Sequence, residues 1–147
     1  MEDFKLYSVS DRYISYLREK FPNVYSNKMD TRVHTRKYLG VVVKNTKGER
    51  ELKATLRLSH MIPVPASELE LYALDDEPDE AYKDLVQNEM IFIRKNQDKI
   101  SANAQLIYKQ KMENDTSAKY VMSALDFKAL EEMCDKFPEY ISKSKCL

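Results

Sequence analysis

Apolar and polar side chains alternate from Phe4 to Val9, which predicts a half-buried strand, and Ser8 or Ser10 can then cap a helix running to about Lys20. That helix sets Tyr13, Ile14, Tyr16 and Leu17 along one side. Phe21-Pro22-Asn23 ends it, and the polar stretch from Val24 to Arg36 has no period, so it reads as a loop with an irregular turn. The β-branched run in Tyr38 to Val43 predicts a buried strand. After the turn Asn45-Thr46-Lys47-Gly48, the segment Leu52 to Leu58 alternates at period two. Residues 38 to 58 therefore read as a hairpin, with Lys53, Thr55 and Arg57 on its polar face. Met61 to Val64 and Leu69 to Ala73 add two short strands, which Pro63 and Pro65 restrict to edges or bends.

The period then changes. Pro78 suits a first helical position, and Tyr82, Leu85, Val86, Met90 and Ile93 follow at helical spacing to about Lys95. A second helix restarts at Asn96, with Ile100, Ala104, Ile107 and the stem of Lys111 on one stripe, until Asn114 to Ser117 breaks it. A last helix from about Leu125 to Phe137 uses Phe127, Leu130, Met133, Cys134 and Phe137. Strands followed by helices predict an α+β fold, a small and strongly bent antiparallel sheet elaborated with about four helices. The length of 147 residues predicts a single domain, with a frayed tail over 138–147.

Composition narrows the class. Apolar residues at 43% and charged residues at 33%, with two Gly and five Pro, describe a folded chain rather than a disordered one. No run is long and apolar enough for a membrane span, and the opening Met1-Glu2-Asp3-Phe4-Lys5 lacks the layout of a signal peptide, so the expected compartment is the cytoplasm. Cys134 and Cys146 have neither the number nor the spacing of a disulfide framework or zinc site, and Cys134 reads as a small apolar helix residue.

The 24 basic and 24 acidic residues cancel, so the distribution of charge matters more than its sum. From Lys28 to Arg57 nine basic residues (Lys28, Arg32, Arg36, Lys37, Lys44, Lys47, Arg50, Lys53, Arg57) face three acidic ones (Asp30, Glu49, Glu51). With His34 and His60 beside it, this excess can cradle phosphate, although an ordinary solvated face has the same composition. Glu68 to Asp84 is acidic, and its carboxylates suit a helix N-terminus better than a calcium loop.

Gly40 and Gly48 stand alone, which excludes glycine-rich nucleotide loops, and the two histidines lack the spacing and companions of a metal site. No cofactor is expected. Tyr13, Tyr16 and Phe21 at helical spacing read as core, while Tyr25 in its polar loop is a candidate surface aromatic able to stack on a base. Metal-free RNA cleavage needs a base for the 2′-hydroxyl, a cation for the pentavalent phosphate and an acid for the leaving oxygen. His34, Lys53, Thr55, Arg57 and His60 could meet in one basic cleft for that purpose, and each also has an ordinary surface role.

Across about four fifths of the chain the wording resembles the ToxN and AbiQ type of toxin. The resemblance runs through Phe4 to Leu17, Tyr38 to Val43, Leu58 to Val64, Glu77 to Leu85, Phe92 to Asn96, Ile100 to Tyr108 and Asp126 to Cys134. It implies a bent antiparallel barrel related to the Kid and MazF toxins, and sequence-selective, metal-independent endoribonuclease activity leaving a 2′,3′-cyclic phosphate. It also implies inhibition by a pseudoknotted antitoxin RNA in a closed toxin–RNA assembly, with cellular or phage RNA as substrate. The RNA-binding candidates on this chain are Lys28, Arg32, His34, Arg36, Lys37, Lys53, Thr55, Arg57 and His60. Members of that family carry a Tyr-x-x-Pro-Leu-Ser/Thr-Ser-Pro-Lys motif whose hydroxyl and lysine serve catalysis, and none follows Val43 here. An omitted segment, a deliberate deletion, or a natural variant that binds RNA without cutting it would each account for the gap. The first two are favoured, because losing a central strand should expose core on both sides. A catalytically silent RNA-binding module and a protein-interaction domain working through the acidic helical face are the alternatives.

Overall fold

The computed structural model describes residues 3–27, 36–45, 48–55, 57–115, 117 and 119–145. Four strands, β1 (Leu6–Val9), β2 (Tyr38–Asn45), β3 (Gly48–Ala54) and β4 (Leu69–Leu71), form one antiparallel sheet in the order β3-β2-β1-β4. β2 and β3 are the long pair, in register from Leu39 opposite Ala54 to Asn45 opposite Gly48. With only two residues between that last pair, pairing starts as soon as the chain turns. The second strand therefore occupies Gly48–Ala54, earlier than the alternation of Leu52 to Leu58 suggests. Gly48 takes φ 122°, a conformation open to glycine and strained for other residues.

The expected barrel is not closed. Met61 to Val64 contributes one bridge, Ile62 opposite Lys53, instead of a strand, and β4 has three residues. Pro63 and Pro65 supply no N–H to a ladder, so this segment cannot carry the sheet around from β3 to β4. Helices cover the sheet instead. Leu39, Val41, Val43, Leu52 and Ala54 of the hairpin are all buried, although a missing strand was expected to expose core on both sides.

Five α-helices complete the described chain. α1 (Asp11–Lys20) is capped by Ser10, whose hydroxyl accepts from the Tyr13 N–H. α2 (Glu80–Lys95) is capped by Asp79, which places Pro78 just before the helix rather than at its first position. α3 (Gln97–Met112) lies against β2, and its Gln105 amide accepts from the Lys44 N–H (2.6 Å) and donates to the Lys44 C=O (2.8 Å), taking the place of a strand neighbour. The short α4 (Lys119–Ser123) has no counterpart in the sequence reading. α5 (Phe127–Lys145) runs on through Pro138, although a frayed tail was expected there. Proline costs the helix one hydrogen bond, to the Cys134 carbonyl, while Phe137 before it lies in the core and Ile141 after it, partly buried, packs against that core.

One core joins these elements. Tyr13 and Leu17 of α1 are fully buried, Tyr13 meets Phe137 edge-on at 5.0 Å, and the Tyr16 hydroxyl donates to the Met133 carbonyl. Cys134 is buried among them, as an apolar helix residue would be, and burial pushes its thiol pKa up.

The acidic stretch has a buried member. The Glu68 carboxylate accepts from Ser10 Oγ (2.7 Å), Ser67 Oγ (2.9 Å) and both Nε (2.6 Å) and Nη2 (2.7 Å) of Arg12. Hydrogen bonds from Arg12 hold its pKa down to about 2. The start of α1 is thereby stapled to the turn that enters β4.

Candidate nucleic-acid interface

Two loops meet beside the long hairpin. The first leaves α1, where buried Val24 and a hydrogen bond from Arg18 Nη1 to the Val24 carbonyl fix the position of Tyr25. Asn27 and Arg36, which flank the segment 28–35, are joined by the Arg36 N–H donating to the Asn27 carbonyl at 2.8 Å. Arg36 also donates through Nε to the Ser26 carbonyl and sets its guanidinium over the Tyr25 ring at 4.6 Å.

The second loop follows β3 and is closed by paired backbone hydrogen bonds between Lys53 and Ile62 (2.7 and 2.9 Å). Thr55 Oγ1 accepts the Arg57 N–H and turns the chain into a 3₁₀ turn over Leu58–His60. The Ser59 carbonyl accepts from the Leu125 N–H, which ties this turn to the segment between α4 and α5. His60 then stacks on Tyr25, with centroids 4.6 Å apart and planes 4° from parallel, and Arg57 Nη1 reaches the Tyr25 hydroxyl at 3.1 Å.

The site is thus a half-buried tyrosine flanked by Arg36, Arg57 and His60. His60 Nδ1 lies 2.9 Å from Ser59 Oγ, and burial together with the Arg57 charge lowers its pKa, so the imidazole is neutral near pH 7. Tyr38, at the start of β2, is buried with its hydroxyl unpartnered among the described residues, and burial raises its pKa to about 12.

The basic run divides once it is folded. Arg36, Arg57 and His60 converge, with Thr55 shaping their loop. Lys37 turns the other way, over the rings of Tyr72 (5.1 Å) and Tyr82 (5.9 Å), where burial lowers its pKa. Lys53, expected on a polar face, is buried with its side chain 3% exposed, pairs with Glu51 at 2.7 Å and lies over the Tyr7 ring. It is therefore taken up inside the fold and is not free for phosphate. Lys44 pairs with Glu49, and Arg50 with Glu131 and Asp135 of α5. Arg36 and Arg57 thus stand out among the described residues of this run as cations with no carboxylate partner. Lys28, Arg32, His34 and Lys47 lie outside the described residues.

Tyr25 and the neighbouring basic residues were legible as candidates. Ser59 and Tyr38 were not, because a buried hydroxyl has no periodic signature. The only signal for Ser59 was its place beside His60 in the chain. No group of His, Cys, Asp and Glu among the described residues is arranged to hold a metal ion. No described helix is long and apolar enough to cross a membrane.

The chain resembles proteins of one kind. The endoribonuclease ToxN of Bacillus thuringiensis subsp. kurstaki is 25% identical over 166 aligned positions, covering 92% of this chain and 84% of that protein. The alignment is longer than the 147 residues of this chain, so the relative carries residues with no counterpart here. A solved structure from work on selective toxin inhibition by a non-coding RNA pseudoknot in type III toxin-antitoxin systems superposes with a TM-score of 0.76. It is 23% identical, and the match covers 94% of this chain and 99% of that one. AbiQ, a lactococcal anti-phage endoribonuclease of a type III system, superposes at 0.75 with 21% identity, over 94% of this chain and 99% of its own. These two likenesses speak for the fold. The family model for the toxin ToxN of type III toxin-antitoxin systems matches residues 44–135, more than half of the chain, and the protein belongs to that family.

Proposed function

We propose that this protein is a sequence-selective endoribonuclease toxin of a type III toxin-antitoxin system, which cuts RNA without a metal ion and is inhibited by a pseudoknotted antitoxin RNA. The observation that carries the reading is the convergence of Arg36, Arg57 and His60 on Tyr25 in a chain of the ToxN family. Two guanidiniums without carboxylate partners among the described residues attract phosphate. The chain acts as one domain in the cytoplasm. Lys28, Arg32 and His34 lie in sequence between Asn27 and Arg36, which flank this site. The sheet belongs to the bent Kid and MazF type, left open here. The cleavage product is a 2′,3′-cyclic phosphate, and toxin and antitoxin RNA alternate in a closed assembly.

The test is incubation of the purified protein with single-stranded RNA in a chelating buffer, followed by analysis of the new ends. Cleavage to cyclic-phosphate ends that stops on addition of the antitoxin RNA is expected. Intact RNA, or cleavage only after a divalent cation is supplied, would overturn the proposal. A second reading, RNA binding without cleavage, is favoured by the β2–β3 hairpin, which closes with two residues after Asn45 and has no place for the Ser/Thr-Ser-Pro-Lys motif. Intact RNA combined with tight, salt-sensitive binding would establish it.

A further inference from the structure

We propose that His60, Arg57 and Tyr25 form the acid–base centre that cuts RNA in this chain, a proposal that rests on the endoribonuclease reading above. The groups stand on two different loops, yet one stack and one hydrogen bond hold them together. Each chemical requirement of the reaction has an atom to meet it. In the tautomer whose Nδ1–H donates to Ser59 Oγ, 2.9 Å away, the Nε2 lone pair of His60 can accept a proton. Arg57 supplies fixed positive charge beside the reacting phosphate, reinforced by Arg36 over the Tyr25 ring. The Tyr25 oxygen already accepts from Arg57, so its own proton can be given away while the guanidinium stabilises the phenolate left behind.

The step balances without a co-reactant. His60 Nε2 takes the proton of the 2′-hydroxyl, and the 2′-oxygen forms its bond to phosphorus. The bond from phosphorus to the 5′-oxygen breaks, and that oxygen takes the Tyr25 proton. Proton return from imidazolium to phenolate through water restores both groups. Ser59 is a positioning residue. Its hydroxyl orients the imidazole, and its carbonyl is pinned by the Leu125 N–H, so the segment between α4 and α5 sets where the base stands.

Cleavage of a short single-stranded RNA in a chelating buffer would be measured alongside its Kd, for the full chain and for His60→Ala and Tyr25→Phe. His60→Ala is expected to cut about 100-fold more slowly with its Kd within about threefold of the parent, and added imidazole is expected to restore part of the rate. Tyr25→Phe should be similarly slow on ordinary RNA but regain the parental rate on RNA with sulfur at the bridging 5′ position, whose leaving group needs no acid. Variants that cut as fast as the parent would overturn this centre and leave the toxin reading standing. Slow cutting that neither imidazole nor the sulfur substrate rescues would also overturn it, assigning the two side chains a structural role. A parent chain that binds RNA and does not cut it would overturn both readings together.

Discussion

Acid should weaken this fold through one carboxylate, and replacing Glu68 by Gln should remove that sensitivity. The Glu68 side chain is 1% exposed and its pKa falls from 4.5 to about 2, chiefly because Arg12 donates two hydrogen bonds to it. A folded-state pKa below the unfolded one stabilises the protein above the unfolded value. That stability is lost as pH drops from about 4.5 towards 2. Carried through linkage at about 1.36 kcal/mol per unit, the part lost between pH 7 and pH 3 is about 2 kcal/mol. The Arg12 side chain is 56% exposed, so water screens the pair and about 1 kcal/mol is the firmer expectation. Urea unfolding of the parent and of Glu68→Gln at pH 7, 5 and 3 isolates it, since the other carboxylates titrate in both proteins and cancel in the difference. The gap between the two stabilities should be widest at pH 7 and narrow by about 1 kcal/mol at pH 3. A gap that stays constant with pH would refute the reasoning, because it would mean that Glu68 carries no linked proton.

Lys53→Met should leave stability within about 1 kcal/mol of the parent, since an apolar side chain of similar length can replace a buried ammonium. It should also leave the salt dependence of RNA binding unchanged, whereas Arg57→Ala should lower the slope of log affinity against log salt by about 1. Salt titrations of both variants make the comparison, and a fall in slope for Lys53→Met would place that lysine at the RNA. Tyr38→Phe removes a buried hydroxyl with no partner among the described residues, so urea unfolding should show no loss and up to about 1 kcal/mol of gain. A loss of more than about 1 kcal/mol would reveal a bonded hydroxyl. Gln105→Ala frees both backbone groups of Lys44, so hydrogen exchange at the Lys44 amide should accelerate while that of Val41, at the hairpin centre, is unchanged. Equal acceleration at both would argue that α3 secures the whole hairpin.

Local signals carried much of the architecture. Ser10 before an amphipathic run and the β-branched stretch ending in a turn at Gly48 are short-range instructions, and each element forms where they place it. What depends on contacts distant in sequence could not be read. Pro138 looks like a helix stop from its neighbours alone, but Phe137 in the core and Ile141 packed against it carry α5 past it. The alternation of Leu52 to Leu58 is genuine, yet the two-residue turn decides which residues face β2.

The same division holds for the site. Sequence by itself placed a basic run at Lys28 to Arg57 and set Tyr25 in a polar loop, because composition and periodicity are properties of the chain. It could not say which cations remain available, since pairing is decided across the fold. Lys53 lies over Tyr7 beside Glu51, Arg50 reaches across to α5, and Lys37 turns to Tyr72 and Tyr82. Only tertiary structure brings a tyrosine from the loop after α1 under the imidazole of a turn beyond β3, because residues 35 apart in sequence meet when two loops are closed by their own backbone hydrogen bonds.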